Sequence, residues 1–167
     1  MRPNKARVLG IDPGYGRMGV AVLESSREGR VILLFSDCLE TRVGEGFPVR
    51  LGELQIKLRE LIKKWKPGQV ALEKLYFATN QKTVMQVAET RGMVIALTQE
   101  FALTLHEYTP LQVKVGITGY GRASKFQVAE MLHKLIRLEA KRNNRKFRDD
   151  EYDAIAVGVT DLSTRKH

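Results

Sequence analysis

The sequence predicts an α/β fold, a mixed five-stranded sheet with helices on both faces. Two observations carry this. Three strand-like runs come first, divided by short gaps that hold Pro13, Gly14, Gly16 and Gly29, as an antiparallel meander requires. After them, helix-like and strand-like segments alternate, which adds parallel strands to the antiparallel half. The order is β-β-β-α-β-α-β-α-α-α, and residues 1–167 read as one domain large enough to bury its own core.

The first three strands are expected over Arg7–Ile11, Met18–Leu23 and Val31–Ser36. Val49–Trp65 then places Leu51, Leu54, Leu58, Leu61, Ile62 and Trp65 at helical spacing, and Pro67-Gly68 ends that helix. QVALE, closing on Glu73, is a short buried strand. A long helix follows from about Asn80, its N-cap, to Phe101. The second half of that helix, GMVIALT, is apolar almost all round and so is buried in the core or in an interface. Leu103–Tyr108 is the fifth strand. Thr109-Pro110 opens a short helix, and Ser124 with Gln127 forms a capping box for a helix running to about Leu138. The last helix runs from about Asp150 to Leu162.

Acids fall at telling places in this scheme. Along the first strand Val8, Gly10 and Asp12 share one face and Leu9 and Ile11 the other, so Asp12 ends the strand where the chain turns. Glu73 ends QVALE in the same way. Strand C-terminal ends are the usual place for a site in an open α/β sheet. Asp150 and Asp153, at i and i+3, project from one face of the last helix, and the small Ala154 and Gly158 let that helix press against the sheet. Four converging carboxylates would repel and raise one another's pKa. Two divalent cations balance them, Mg²⁺ being suited to oxygen ligands and to sites shared with phosphate. Two such ions about 3.5–4 Å apart form the clamp used for in-line displacement at phosphodiesters. Asp12 in its apolar run is thus explained as a metal ligand. His106, His133 and His167 show no metal-ligand spacing.

Charge points to the substrate class. Lysine and arginine outnumber acids 28 to 19, giving a net charge of +9, with clusters at KKWK (63–66) and KRNNRKFR (141–148). Such a surplus is the footprint of a nucleic-acid binder. Apolar runs of about six residues fall far short of a bilayer span. The N-terminus has no apolar signal region, and Cys38 is the only cysteine. These features place the chain in the cytoplasm, away from membranes.

The motifs GIDPG, LEKLYFATN, ETRG, LQVKVGITGYGRASK and DDEYDAIAVG, in this order over essentially the whole chain, resemble the RuvC-type Holliday junction resolvases, the crossover junction endodeoxyribonucleases. The resemblance implies an RNase H-like fold. It implies a homodimer that nicks four-way junction DNA symmetrically in recombination and repair, dependent on two Mg²⁺ per site with Mn²⁺ as a substitute. It also implies branch-migration partners of the RuvA and RuvB families. Carried over by motif, Asp12, Glu73, Asp150 and Asp153 are the catalytic metal ligands, and Asp149 competes with Asp150, which alone satisfies D-x-x-D-A. Lys114 and Lys125 match basic residues that approach the DNA backbone. Tyr76 falls where the family has a base-contacting phenylalanine and Phe77 adjoins it, so either ring fits that role. GMVIALT, with Val84 and Val87, is the expected dimer face unless its own sheet covers it.

Two other readings compete. A nucleotide-binding domain of the actin-like superfamily also follows GID with glycines, but needs two lobes and several hundred residues. A junction-binding module without chemistry would not need all four acids.

Overall fold

The computed structural model describes residues 7–26, 28–75, 81–136 and 146–164. Its elements are β1 (Arg7–Asp12), β2 (Arg17–Ser25), β3 (Val31–Glu40), α1 (Phe47–Trp65), β4 (Gln69–Glu73), α2 (Gln81–Glu100), β5 (Thr104–Tyr108), α3 (Pro110–Thr118), α4 (Lys125–Leu135) and α5 (Asp149–Thr164). The sheet order is β3-β2-β1-β4-β5. β1–β2 and β2–β3 are antiparallel, whereas β1–β4 and β4–β5 are parallel. The mixed five-stranded sheet read from the sequence is therefore the one observed.

Both faces of the sheet are covered. Leu9, Ile11, Val20, Val22, Val70 and Leu72 point to one side, against Leu54, Leu58 and Ile62 of α1 and Val94 and Leu97 of α2. Val8, Ala21, Leu23 and Ala71 point to the other, against α5, α3 and α4. Val94 and Leu97 of the GMVIALT half of α2, for which the sequence left core or interface open, thus belong to the chain's own core. Exposed on α2 are Met85, Ala88, Gly92 and Ala96, together with the polar Lys82, Thr83, Glu89, Gln99 and Glu100.

Element ends differ from expectation for local reasons. β3 continues past Ser36 to Glu40, because Ser36 and Cys38 are buried against α5 on one face and Leu39 is buried in the core on the other. Within it, Val22 pairs with Phe35 and Leu23 with Leu33, so Leu34 is the extra residue of a bulge. α1 begins at Phe47, Pro48 fitting the first turn, and stops where Lys66 turns left-handed and returns its N–H to Ile62 O at 2.8 Å. Both predicted caps of α3 and α4, Thr109 with Gln112 and Ser124 with Gln127, are reciprocal capping boxes. α4 stops at Leu135, three residues short of the expected end, with Ile136 as its C-cap. The expected N-cap Asn80 lies outside the described residues.

α5 positions everything that follows. It lies across β1 and β2 with almost no side-chain layer between. A Cβ on Gly10 would stand 2.2 Å from Ala154 O, and one on Gly158 would stand 2.4 Å from Leu23 Cδ1. Two fully buried carboxylates fix its ends. Glu151 accepts from Ser36 Oγ at 3.1 Å and, as a capping-box residue reaching back, from Arg148 N–H at 2.9 Å. Asp161 accepts from Gln69 Nε2 at 2.6 Å and Tyr108 Oη at 2.8 Å, with His106 Nδ1 at 2.9 Å. Neither was singled out from sequence.

This packing predicts opposite effects of one substitution at two glycines. Gly10→Ala forces a helix backbone away from the sheet and should lower unfolding stability by about 1–3 kcal/mol. Gly52→Ala, on α1 where an added methyl would meet nothing within 4 Å, should raise it by about 0.5–1 kcal/mol. Urea titration of both variants checks the pair.

Candidate active site

β1 and β4 are parallel neighbours with Ile11 opposite Leu72. The next residue on each strand is therefore Asp12 and Glu73, which brings two carboxylates side by side at the sheet's edge. β2 contributes the seat for the third. A Cβ on Gly19 would stand 1.8 Å from Asp150 O, so only glycine at this position lets the first turn of α5 settle beside Asp12, the partner of Gly19 in the ladder. From that turn Asp150 and Asp153 face the same space. The four acids line one cavity of about 480 Å³ together with Pro110, Val113, Lys114, Lys125, Val128 and Ala156. Asp149 is exposed and does not line it, so the cavity takes the D-x-x-D-A register over its neighbour. Tyr76 and Phe77 lie outside the described residues.

The electrostatics are those of crowded acids. Asp12 is pushed up to about 8, chiefly by burial and then by the charges of Glu73 and Asp153. Glu73 is also raised, again by burial first, while a proton shared with Asp12 works the other way. The outer pair has basic partners. Lys125 Nζ donates to Asp153 Oδ2 at 3.0 Å, and Arg17 Nε lies 3.7 Å from Asp150 Oδ2. Asp153 in turn holds the Lys125 ammonium above its ordinary range. Among the described residues no three His, Cys, Asp or Glu side chains are already gathered tightly enough to grip an ion. Mutual repulsion and these basic partners account for the spread. The donors themselves are all carboxylate oxygens, the set that Mg²⁺ or Mn²⁺ takes.

Two neighbours escaped the sequence reading. Arg17 opens β2 just after the turn that follows Asp12, and its only sequence signal is a cation directly after the glycine-rich turn. Cys38 places Sγ 3.7 Å from Asp150 Oδ2. Burial and then the Asp150 charge push its thiol up, so it stays protonated and donates. Nothing in the sequence pairs residue 38 with residue 150.

A raised carboxyl has a definite sign in stability. Below the ordinary value of 3.8 both folded and unfolded chains hold the Asp12 proton. As pH climbs from there to about 8 the unfolded chain has released it and the folded chain still holds it, so stability falls through this window. Without divalent ions, the thermal midpoint should drop by about 5 °C or more between pH 5 and pH 8. Asp12→Asn should flatten most of that slope in a scanning calorimetry series.

Comparison with known proteins gives the family. A family model described as crossover junction endodeoxyribonuclease RuvC matches residues 8–161. Crossover junction endodeoxyribonuclease RuvC of Petrotoga mobilis is 41% identical over 151 residues, covering 90% of this chain and 89% of the relative. The protein of the same name from Moorella thermoacetica is 39% identical over 156 residues, covering 93% and 90%. The structure of T. thermophilus RuvC in complex with a Holliday junction substrate superimposes with a TM-score of 0.86 at 26% identity, over 95% of this chain and 94% of that one. The sheet, the helix order and the motifs thus converge, and the chain belongs to the RuvC family of crossover junction endodeoxyribonucleases.

Proposed function

We propose that this nuclease resolves Holliday junctions in recombination and repair by paired, symmetrical nicks, with Asp12, Glu73, Asp150 and Asp153 as the ligands of two Mg²⁺ ions. The observation that supports the reading best is the desolvated, proton-holding Asp12 beside Glu73 at the ends of two parallel strands. Such a group is costly to a fold that does not use it. The donor set fits hard divalent cations, Mg²⁺ first and Mn²⁺ as a substitute. Bound there, the ions supply an activated water and charge stabilisation at the leaving 3′ oxygen.

The chain's own groups do the rest. Asp12 and Glu73 give up their shared proton as positive charge arrives, and the strand ends hold them rigidly in place. Lys125 exchanges Asp153 for a phosphate oxygen, since an ammonium serves either anion. Lys114, on the same wall of the cavity, approaches the strand from the α3 side. Cys38 keeps its proton and orients Asp150. One of Tyr76 and Phe77, next to the site in sequence, contacts bases at the crossover.

A four-way junction is approximately two-fold symmetric, so paired nicks call for a homodimer whose axis matches it. The outward stripe Met85, Ala88, Gly92 and Ala96 of α2, with the partly buried Val84 and Val87 beside it, is the face we assign to the partner. RuvA- and RuvB-type branch-migration proteins would act on the same junction. No helix among the described residues is long and apolar enough to cross a membrane, and we place the protein in the cytoplasm.

The test is a synthetic four-way junction with Mg²⁺, its products resolved on denaturing gels. Wild type should give two symmetrical, ligatable nicks. Asp12→Asn should bind the junction yet cut it more slowly by over about 100-fold, since even outer-shell losses reach 10–100-fold. Undiminished nicking by Asp12→Asn would remove the proposed site.

A further inference from the structure

The turn between α3 and α4, GYGRASKF (119–126), carries two large rings that the acid cavity does not use. Phe126 is 76% exposed and Tyr120 56% exposed, with Arg122 and the site cation Lys125 between them. Packing does not call for this. The buried residues of α4 are Val128 and Leu132, and Phe126 leaves the helix on the side away from them. Nor are the rings on a loose loop. Gly119 caps α3 in the left-handed region, its N–H on Val115 O at 2.8 Å. Tyr120 N–H donates to Thr118 Oγ1 at 3.1 Å, Ala123 N–H donates to Tyr120 O at 3.1 Å, and the Ser124–Gln127 box locks the first turn of α4. A rigid turn therefore holds apolar rings in water, one residue from a lysine whose Nζ reaches the acid cluster.

Exposed rings flanking cations, continuous with a phosphodiester-cutting site, make the kind of surface on which nucleobases stack while lysines meet phosphates. We propose that Phe126, with Tyr120 beside it, stacks against nucleobases of the DNA strand whose backbone Lys125 meets. The occupant is the junction substrate, so the inference rests on the reading above. It adds an aromatic platform on the α3–α4 side, distant in sequence from residues 76 and 77. Stacking tolerates any base but needs an unstacked one, which a crossover can offer whatever its sequence as a junction migrates.

Stacking and phosphate contact leave different marks on salt dependence. Losing a phosphate contact reduces the slope of log K against log salt by about one, whereas losing a stacking ring shifts the line without tilting it. The experiment is fluorescence anisotropy of a labelled four-way junction with the full chain, in EDTA to prevent cleavage, across a salt series. Phe126→Ala should weaken binding about tenfold at every salt concentration with the slope unchanged. Phe126→Leu should be as weak, and Phe126→Trp should restore binding. Wild-type affinity in Phe126→Ala overturns the proposal, as does full rescue by leucine, which would mean plain apolar burial. A weakened variant whose sedimentation also shows a lost subunit contact overturns it too, because the patch would then cover protein. If wild type itself does not bind the junction, the substrate reading fails first, which a defect confined to Phe126 variants cannot imitate.

Discussion

Helix α5 rests almost directly on the backbone of β1 and β2, and the site exists because of that contact. Gly10, Gly19 and Gly158 remove the side chains that would otherwise hold helix and sheet a full layer apart. Buried Glu151 and Asp161 tie the helix down toward its two ends, the first to β3 and the second to β4 and β5. With the helix so close, its first turn meets the edge of the sheet where β1 and β4 end. Asp150 and Asp153 then share a cavity with Asp12 and Glu73. A helix raised by one methyl thickness would carry the same acids and not bring them together.

Crowding of this kind would not persist in a fold selected for stability alone. Asp12 is desolvated and faces three other carboxylates, and its response is to keep a proton well into the neutral range. The outer acids instead borrow Lys125 and Arg17. These two devices, a retained proton inside and loaned cations outside, offset the repulsion among the four carboxylates. Both are reversible, and each frees a group for use. On the proposed function the proton would leave as metal charge arrives, and the lysine would become available to a phosphate. Electrostatic strain and catalytic readiness are one arrangement seen in two charge states.

Much of this was legible in the sequence because it depends on local pattern. Short apolar runs bounded by turn residues located all five strands, Thr109-Pro110 and the Ser124–Gln127 box located α3 and α4, and acids at strand ends located the cavity. What escaped depends on partners far apart in the chain. Gly10 and Gly19 look like turn or strand glycines until a helix from residue 150 onward is laid over them. Asp161 looks like a solvated helix residue until Gln69, His106 and Tyr108 surround it. The apolar half of α2 shows that something covers it but not whether that is its own sheet, and Val94 and Leu97 prove to be covered by the sheet. Of Asp149 and Asp150, the sequence favours the second by the D-x-x-D-A spacing, and it is the second that lines the cavity.

We propose that these four carboxylates are crowded in order to share two ions, and anomalous diffraction from crystals soaked in Mn²⁺ tests that most directly. Two peaks should stand about 3.5–4 Å apart inside the cavity, each within bonding distance of oxygens from Asp12 and from at least one of Glu73, Asp150 and Asp153. Peaks only elsewhere on the surface, or none in the cavity at Mn²⁺ concentrations that support nicking, would contradict it.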